Sequence, residues 1–321
     1  MRKRSFAVIL VLVLTVFLVS CSSQPHASTS GGSASNYNVT VIVTKDFGKE
    51  LILEREIAIE PGTNAMEALQ MVAGIETKYG GGFVSSINGT SSEYGGASSS
   101  KNDWFFYING ISSNVGPNDY ILREGDIEHW DFRDWSYQQF VPAVIGDYPQ
   151  PFLSGFKGNA VPTVVVYDAP FSEVAASLAE NLKAAGVTQI STITADQLSE
   201  ETKEQSNLII IANPQNGLIS ELNSLHKRLG FYAYMEDGKI ISLDATGNPS
   251  GEYGAGCGLI QATQNPWNPD GIGACENVVW MITGSDASGV ESAAMSLVNN
   301  CSELLHAYAV IVNGDSIIKI P

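Results

Sequence analysis

Tyr79, Tyr94, Trp104, Tyr107 and Tyr120 fall in one stretch of the chain, in the company of Phe83, Phe106, Trp130, Phe132 and Trp135. Aromatic rings offer large, rigid contact area at low entropic cost, and a carboxamide such as Asn109 can satisfy the polar edge of whatever lies on them. The chemistry these residue types support is non-covalent capture of a flat, amphipathic small molecule. Core packing accounts for the rings on one face of a sheet. The other face must be covered by a second domain or by a ligand, because large bare apolar patches are rare.

Covalent and metal chemistry find less. Cys301 precedes His306 by five residues, so adjacent turns could pair a thiol with a base; a buried structural cysteine is the simpler account. Asn265 to Gly271 offers oxygen ligands but lacks calcium-loop spacing and its final Glu, and reads as a polar turn. The Thr283 to Gly289 turn could hold an anion at a helix start, although a plain helix cap is the better account. There is no Gly-x-Ser-x-Gly, no His-Glu-x-x-His and no P-loop. With four His and no Cys-x-x-Cys, a structural zinc site is disfavoured. The expectation is a protein without catalysis, metal or cofactor. Cys257 and Cys275 bracket a Gly/Asn/Pro-rich segment, Gly258 to Ala274, and are expected as a disulfide worth on the order of 3 kcal/mol. Reduced thiols are the alternative.

Cys21 carries a different chemistry. Arg2, Lys3 and Arg4 precede an apolar run from Ala7 to Val19 that ends in Leu18-Val19-Ser20-Cys21. The run is short for a membrane span and has the flanks of a secretory signal. A small residue before the cysteine resembles a bacterial lipobox, in which the signal is cut before the cysteine and the thiol carries lipid. Residues 1–20 are thus read as signal peptide, and residues 21–36, Ser/Gly-rich and without apolar period, as the lipidated Cys21 and a flexible tether. Losing the three basic residues takes the formal charge from −17 to −20. Such an acidic chain repels phosphate backbones, which disfavours nucleic acid as a partner, so none is expected, and it grips anionic lipid poorly.

The elements that must position the aromatics follow from periodicity. Val39, Val41 and Val43 alternate with Thr40, Ile42 and Thr44; Leu51 to Ile59 alternates again after Phe47-Gly48-Lys49, a hairpin signal. Asn64 and Glu67 have capping-box spacing before Ala65, Leu69 and Val72 on one helical face. A strand around Phe83 to Ile87 follows, then alternating runs from Trp104 to Ile108 and from Ile127 to Asp131. Hairpin, helix and further strands is the order of a β-grasp domain, assigned to residues 37–136. Residues 137–161, with Pro142, Pro149, Pro151, Gly155 and Gly158, read as an ordered connector. In residues 162–321, Thr163 to Tyr167, Asn207 to Ala212 and Val278 to Ile282 read as buried strands that alternate with helices after Pro170, after Asn216 and around Val290 to Leu297, which implies a mixed or parallel α/β sheet. Tyr308 to Val312 and Ser316 to Ile320 form a hairpin around Asn313-Gly314. The fold class is α+β followed by α/β.

Residues 104–135, with Trp-Phe-Phe-Tyr-Ile-Asn-Gly leading to Asp-Tyr-Ile-Leu-Arg-Glu-Gly-Asp-Ile-Glu-His-Trp, resemble the C-terminal ligand-covering domain of transcobalamin and intrinsic factor and its bacterial relatives. Trp104, Tyr107, Asn109, Tyr120, Gly125, Asp126 and Trp130 match that pattern. The resemblance implies a domain that caps cobalamin with aromatic and backbone contacts, with Tyr79, Tyr94, Trp104, Tyr107, Asn109 and Tyr120 as its ligand-binding residues. Asn207 to Asn216 and Val278 to Ala294 look like strand-loop-helix segments of archaeal S-layer proteins, which are structural surface modules. The leading expectation is a lipid-anchored protein on the outer face of a prokaryotic membrane that captures a small ligand, a corrinoid by the resemblance, for a membrane importer. The competing expectation is a structural or adhesive envelope protein. An open aromatic pocket near Gly80 to Tyr94 would favour capture; an aromatic face packed on the second domain would favour envelope structure.

Overall fold

In the computed structural model, which describes residues 36–93 and 100–321, the alternating valines form the first strand of a five-stranded sheet. Strands β1 (Tyr37–Lys45) and β2 (Glu50–Ile59) are the expected hairpin. Helix α1 (Ala65–Val72) starts at the predicted box: the Asn64 side chain accepts from the Glu67 amide, and the Glu67 carboxylate accepts from the Asn64 amide, both at 2.9 Å. A small sheet follows, β3 (Ile75–Lys78), β4 (Phe83–Ile87) and β5 (Thr90–Ser91), then β6 (Asn102–Ile108), β7 (Ile111–Ser112) and β8 (Ile127–Asp134). The larger sheet runs β2-β1-β8-β6-β7, with β1 and β8 parallel at its centre. That is the β-grasp arrangement. Ala65, Met66, Ala68 and Leu69 of α1 bury against Val39, Val41, Val43 and Ile59 on one face.

The second half begins with β9 (Thr163–Tyr167). Helix α2 (Ser172–Ala185) follows and ends at Gly186, whose φ of 113° provides the left-handed cap that only Gly adopts without strain. Next come β10 (Ile190–Thr194), α3 (Glu200–Gln205), β11 (Asn207–Ile211), α4 (Gly217–Ser224), a meander of β12 (Ala233–Glu236), β13 (Lys239–Leu243) and β14 (Pro249–Tyr253), then β15 (Cys257–Gln264), β16 (Val278–Gly284), α5 (Ala287–Asn299), β17 (Ala309–Asn313) and β18 (Ser316–Ile320). The main sheet has the order β10-β9-β11-β16-β15-β17-β18. Its first four strands are parallel and its last three are joined antiparallel. The fold is mixed α+β, as the periodicity implied.

One expectation is corrected here. The segment after Cys257 is not a loop: all eight residues of β15 are buried between β16 and β17. Cys257 opens that strand. Cys275 lies at its other end, with its thiol 3.8 Å from Gln264 Nε2 and 3.2 Å from the Ser112 carbonyl. Seven steps of extended chain separate the two by roughly 20 Å, whereas a disulfide needs Cα atoms within about 7 Å. Both thiols are free and buried, and Cys301 is free and exposed.

The second face of the β-grasp sheet is covered from within the chain. Asp131 accepts from the Thr44 hydroxyl at 2.7 Å and from the Phe47 and Gly48 amides, each at 3.1 Å. His129 sits between Thr44 and Asp147, 2.9 Å from each. The Arg133 guanidinium stacks 3.6 Å above the Phe105 ring and donates to the carbonyls of Gln138 and Gln139. Tyr232, Leu243 and Tyr308 of the second half close over Phe47 and Tyr107. The connector adds Ile145, Phe152 and Phe156 to a core that holds residues of both halves, and Ser35–Pro321 is one compact unit. Residues 37–138 and 158–321, expressed separately, are expected each to melt cooperatively but below the full chain, because separation exposes Phe47, Tyr107 and Tyr308. Calorimetry of the two pieces checks this. A piece that stays unfolded alone would show that the chain has a single folding unit.

Candidate functional site

The open aromatic site lies along β6, beside the stretch before Tyr107 that β7 does not pair. After β3, Tyr79, Gly80 and Gly81 take φ values of 54°, 76° and 96°. Such a run suits glycine and strains a tyrosine. It lifts the Tyr79 side chain off the protein, leaving the residue 88% exposed, with its ring 6.0 Å from that of Phe83. Opposite, Trp104 donates its indole N–H to the Thr90 carbonyl at 3.1 Å, which fixes the ring. Between them is a cleft of about 830 Å³, lined further by Phe105, Trp135 and Gln139. This is the size of small-molecule sites. Lys101 places its ammonium 5.2 Å from the centre of the Trp135 ring.

Charge in the cleft is uneven. Lys78, Glu93 and Asp103 line it. Hydrogen bonds from Asn102 and Ser100 hold the Glu93 carboxyl below its ordinary range. Burial pushes the Asp103 carboxyl up, against the pull of the Trp104 amide, which donates to it at 2.8 Å. A second, apolar recess of about 250 Å³ adjoins, lined by Val84, Phe106, Val115, Pro117 and Trp130, and shares Phe83, Trp104 and Phe105 with the first.

Of the residues expected to bind ligand, Tyr79 and Trp104 meet in this cleft, and Tyr94 lies outside the described residues. The other three are elsewhere and buried. Asn109 spends its amide on Asp126 at 2.8 Å and the Gly155 carbonyl at 2.7 Å, and its oxygen on the Ile127 amide at 2.8 Å. The Tyr120 hydroxyl accepts from the Lys157 amide at 2.9 Å, and burial next to Asp126 raises its pKa. Tyr107 faces the second half. These three hold turns and the seam together, since buried polar groups must be partnered. Sequence reasoning counted Phe83 and Trp135 among the aromatics without assigning them, and overlooked Lys78, Glu93 and Asp103. The only signal for Asp103 was its place beside Trp104 in an alternating strand.

The remaining candidates resolve as structure. In the Thr283 to Gly289 turn, Asp286 caps α5 by accepting from Gly289 and also accepts from Gly256, both at 2.9 Å, so a carboxylate occupies the helix start. Asn268 bonds Glu276 and Asn277 within its own loop. His306 pairs with Glu54 at 3.1 Å. Among the described residues no group of three or more His, Cys, Asp or Glu could hold a metal ion, and no helix is long and apolar enough to cross a membrane.

The fold and cleft therefore define a β-grasp domain with an aromatic cleft beside β6, joined to a mixed α/β sheet. Residues 62–134 match the family described as Domain of unknown function (DUF4430), which spans α1 to β8 and so contains most of the cleft. A solved structure of a "putative metal binding protein" from Ruminococcus gnavus ATCC 29149 is similar at 16% identity, covering 30% of this chain and 97% of that one, with a TM-score of 0.24. At that score nothing about this chain's ligand follows from it. No curated protein matches the chain.

Proposed function

We propose that this is an exported, lipid-anchored binding protein whose β-grasp domain takes a small amphipathic ligand in the cleft between Tyr79 and Trp104 and passes it to a membrane importer. The observation that carries the reading is the exposed, backbone-strained Tyr79 facing a fixed indole across an open cleft. Strain held at an exposed aromatic is a mark of a binding surface rather than of packing. The transcobalamin resemblance makes a corrinoid the first ligand to try. Because the cleft is open, micromolar affinity is expected, about −8 kcal/mol. Titration of cobalamin and cobinamide by calorimetry tests it. Tyr79→Ala should weaken binding about tenfold and leave the melting temperature unchanged, since the ring is exposed. Binding unaffected by this change, or absent from folded protein, would remove the cleft as the site.

The envelope reading keeps one observation in its favour: the second face of the aromatic sheet is packed against the α/β half. It predicts no small-molecule binding by any part of the chain. The anchor is tested separately. Fatty-acid analogue labelling in the native host should mark the protein, and Cys21→Ser should abolish the label and release the protein from membranes. A Cys21→Ser protein that stays labelled would refute the anchor.

A further inference from the structure

We propose that the cleft selects a small organic cation with an apolar body, its charged head between Asp103 and Glu93 and its body in the recess under Phe106 and Trp130. The inference rests on the ligand-binding reading above and adds the ligand's charge.

Three observations converge on it. First, the aromatic walls are of the kind that attract cations: Trp104, Trp135, Tyr79 and Phe83 present ring faces or edges to one space, and ring quadrupoles draw positive charge, Trp most strongly. The chain already uses one of these rings in this way, with the Lys101 ammonium over Trp135. Second, the charged groups among the described residues that line the space are the carboxylates of Glu93 and Asp103 and the ammonium of Lys78, with the Lys101 ammonium over the Trp135 wall. Glu93 is held ionised by its hydrogen bonds, and Asp103 is partly desolvated. An isolated carboxylate loses solvation as a cleft is covered, and a bound cation offsets that loss. An anion would meet two like charges, whereas a bound cation adds a partner to those that Lys78 and the hydrogen bonds already supply. Third, the polar cleft and the apolar recess adjoin and share three lining residues, Phe83, Trp104 and Phe105. A ligand with head and body chemically distinct can fill both, whereas a purely polar cation would leave the recess empty. The net charge of −17 concentrates cations near the whole surface and speeds their capture.

Three probes share one ring and differ in charge: benzyltrimethylammonium, benzyl alcohol and benzoate. Tryptophan fluorescence and calorimetry on the full folded chain should show the cation binding about tenfold or more tighter than the alcohol, with benzoate weakest. Asp103→Asn combined with Glu93→Gln should cost the cation about tenfold and leave the alcohol within about twofold. Asn and Gln keep the oxygen that accepts from the Trp104 amide and from Asn102, so the wall should stand, and a matching melting curve verifies it. Equal affinity for the three probes, or preference for benzoate, would overturn charge selection while leaving the cleft a binding site. Silence from all three at tens of millimolar also overturns it, and the corrinoid titration and Tyr79→Ala then decide independently whether the cleft binds anything.

Discussion

Glu128→Gln is expected to stabilise the protein at mildly alkaline pH and to change little in acid. Glu128 sits on β8 between Val41 and Ile108, fully buried. One carboxyl oxygen accepts from the Trp130 indole at 2.6 Å and the other has no partner. Burial in this apolar setting pushes its pKa from 4.5 up to about 8. In the unfolded chain the group ionises near its ordinary pKa; in the folded chain it keeps its proton to about pH 8. The folded state therefore binds the extra proton. The associated stability is fully present below about pH 4.5 and is lost as pH rises to about 8, at about 1.4 kcal/mol per unit, on the order of 5 kcal/mol in all. Gln cannot ionise and keeps an oxygen for the Trp130 indole. Urea unfolding of both proteins at about pH 4.5 and about pH 8.5 checks this, the double difference cancelling other titrating groups such as His129. A double difference near zero would mean that Glu128 is ionised in the fold and that its second oxygen has a polar partner.

Gly48→Ala is expected to cost roughly 2–5 kcal/mol, one of the largest effects of any single methyl in this chain. Gly48 has φ of +78°, and a Cβ there would stand 1.7 Å from the His306 carbonyl oxygen and 2.6 Å from its carbon. Backbone on both sides means that no side chain can swing away. Left-handed strain of about 1–2 kcal/mol adds to an overpacking cost of about 1–3 kcal/mol. The clash lies where the β1–β2 turn, held by Asp131, meets the segment before β17, so relief requires the two halves to part. Gly89→Ala is the control: φ is +83° but the space is open, so only the strain remains. Chemical denaturation of both variants separates collision from strain. Equal losses would show that the seam yields freely at His306.

Much of this architecture is legible locally. Asn64 and Glu67 announce α1 because a helix start has orphan amides that side chains at that spacing satisfy. Gly186 announces the end of α2 because its φ suits no other residue. Thr163–Tyr167 stands out as an apolar run of strand length. Such signals depend only on neighbours along the chain. β15 is illegible for the opposite reason: Cys-Gly-Leu-Ile-Gln-Ala-Thr-Gln has no alternation, because both its faces and both its edges are covered, and its Gln264 amide is satisfied by Ser112 of the other half and Pro142 of the connector. That burial, and the distance it sets between Cys257 and Cys275, exists only once distant strands pair. The site divides in the same way. Composition shows that the aromatics are too many for one face. Which of them stay open is set by the short pairing of β6 with β7, which reaches only Tyr107 and Ile108, and by the second half closing over Tyr107, while Asn109 and Tyr120 are drawn inward to partner Asp126, Gly155 and Lys157. Residue type determines what a side chain can bind, but burial and competing partners decide whether it is free to do so, and both are properties of contacts far apart in sequence.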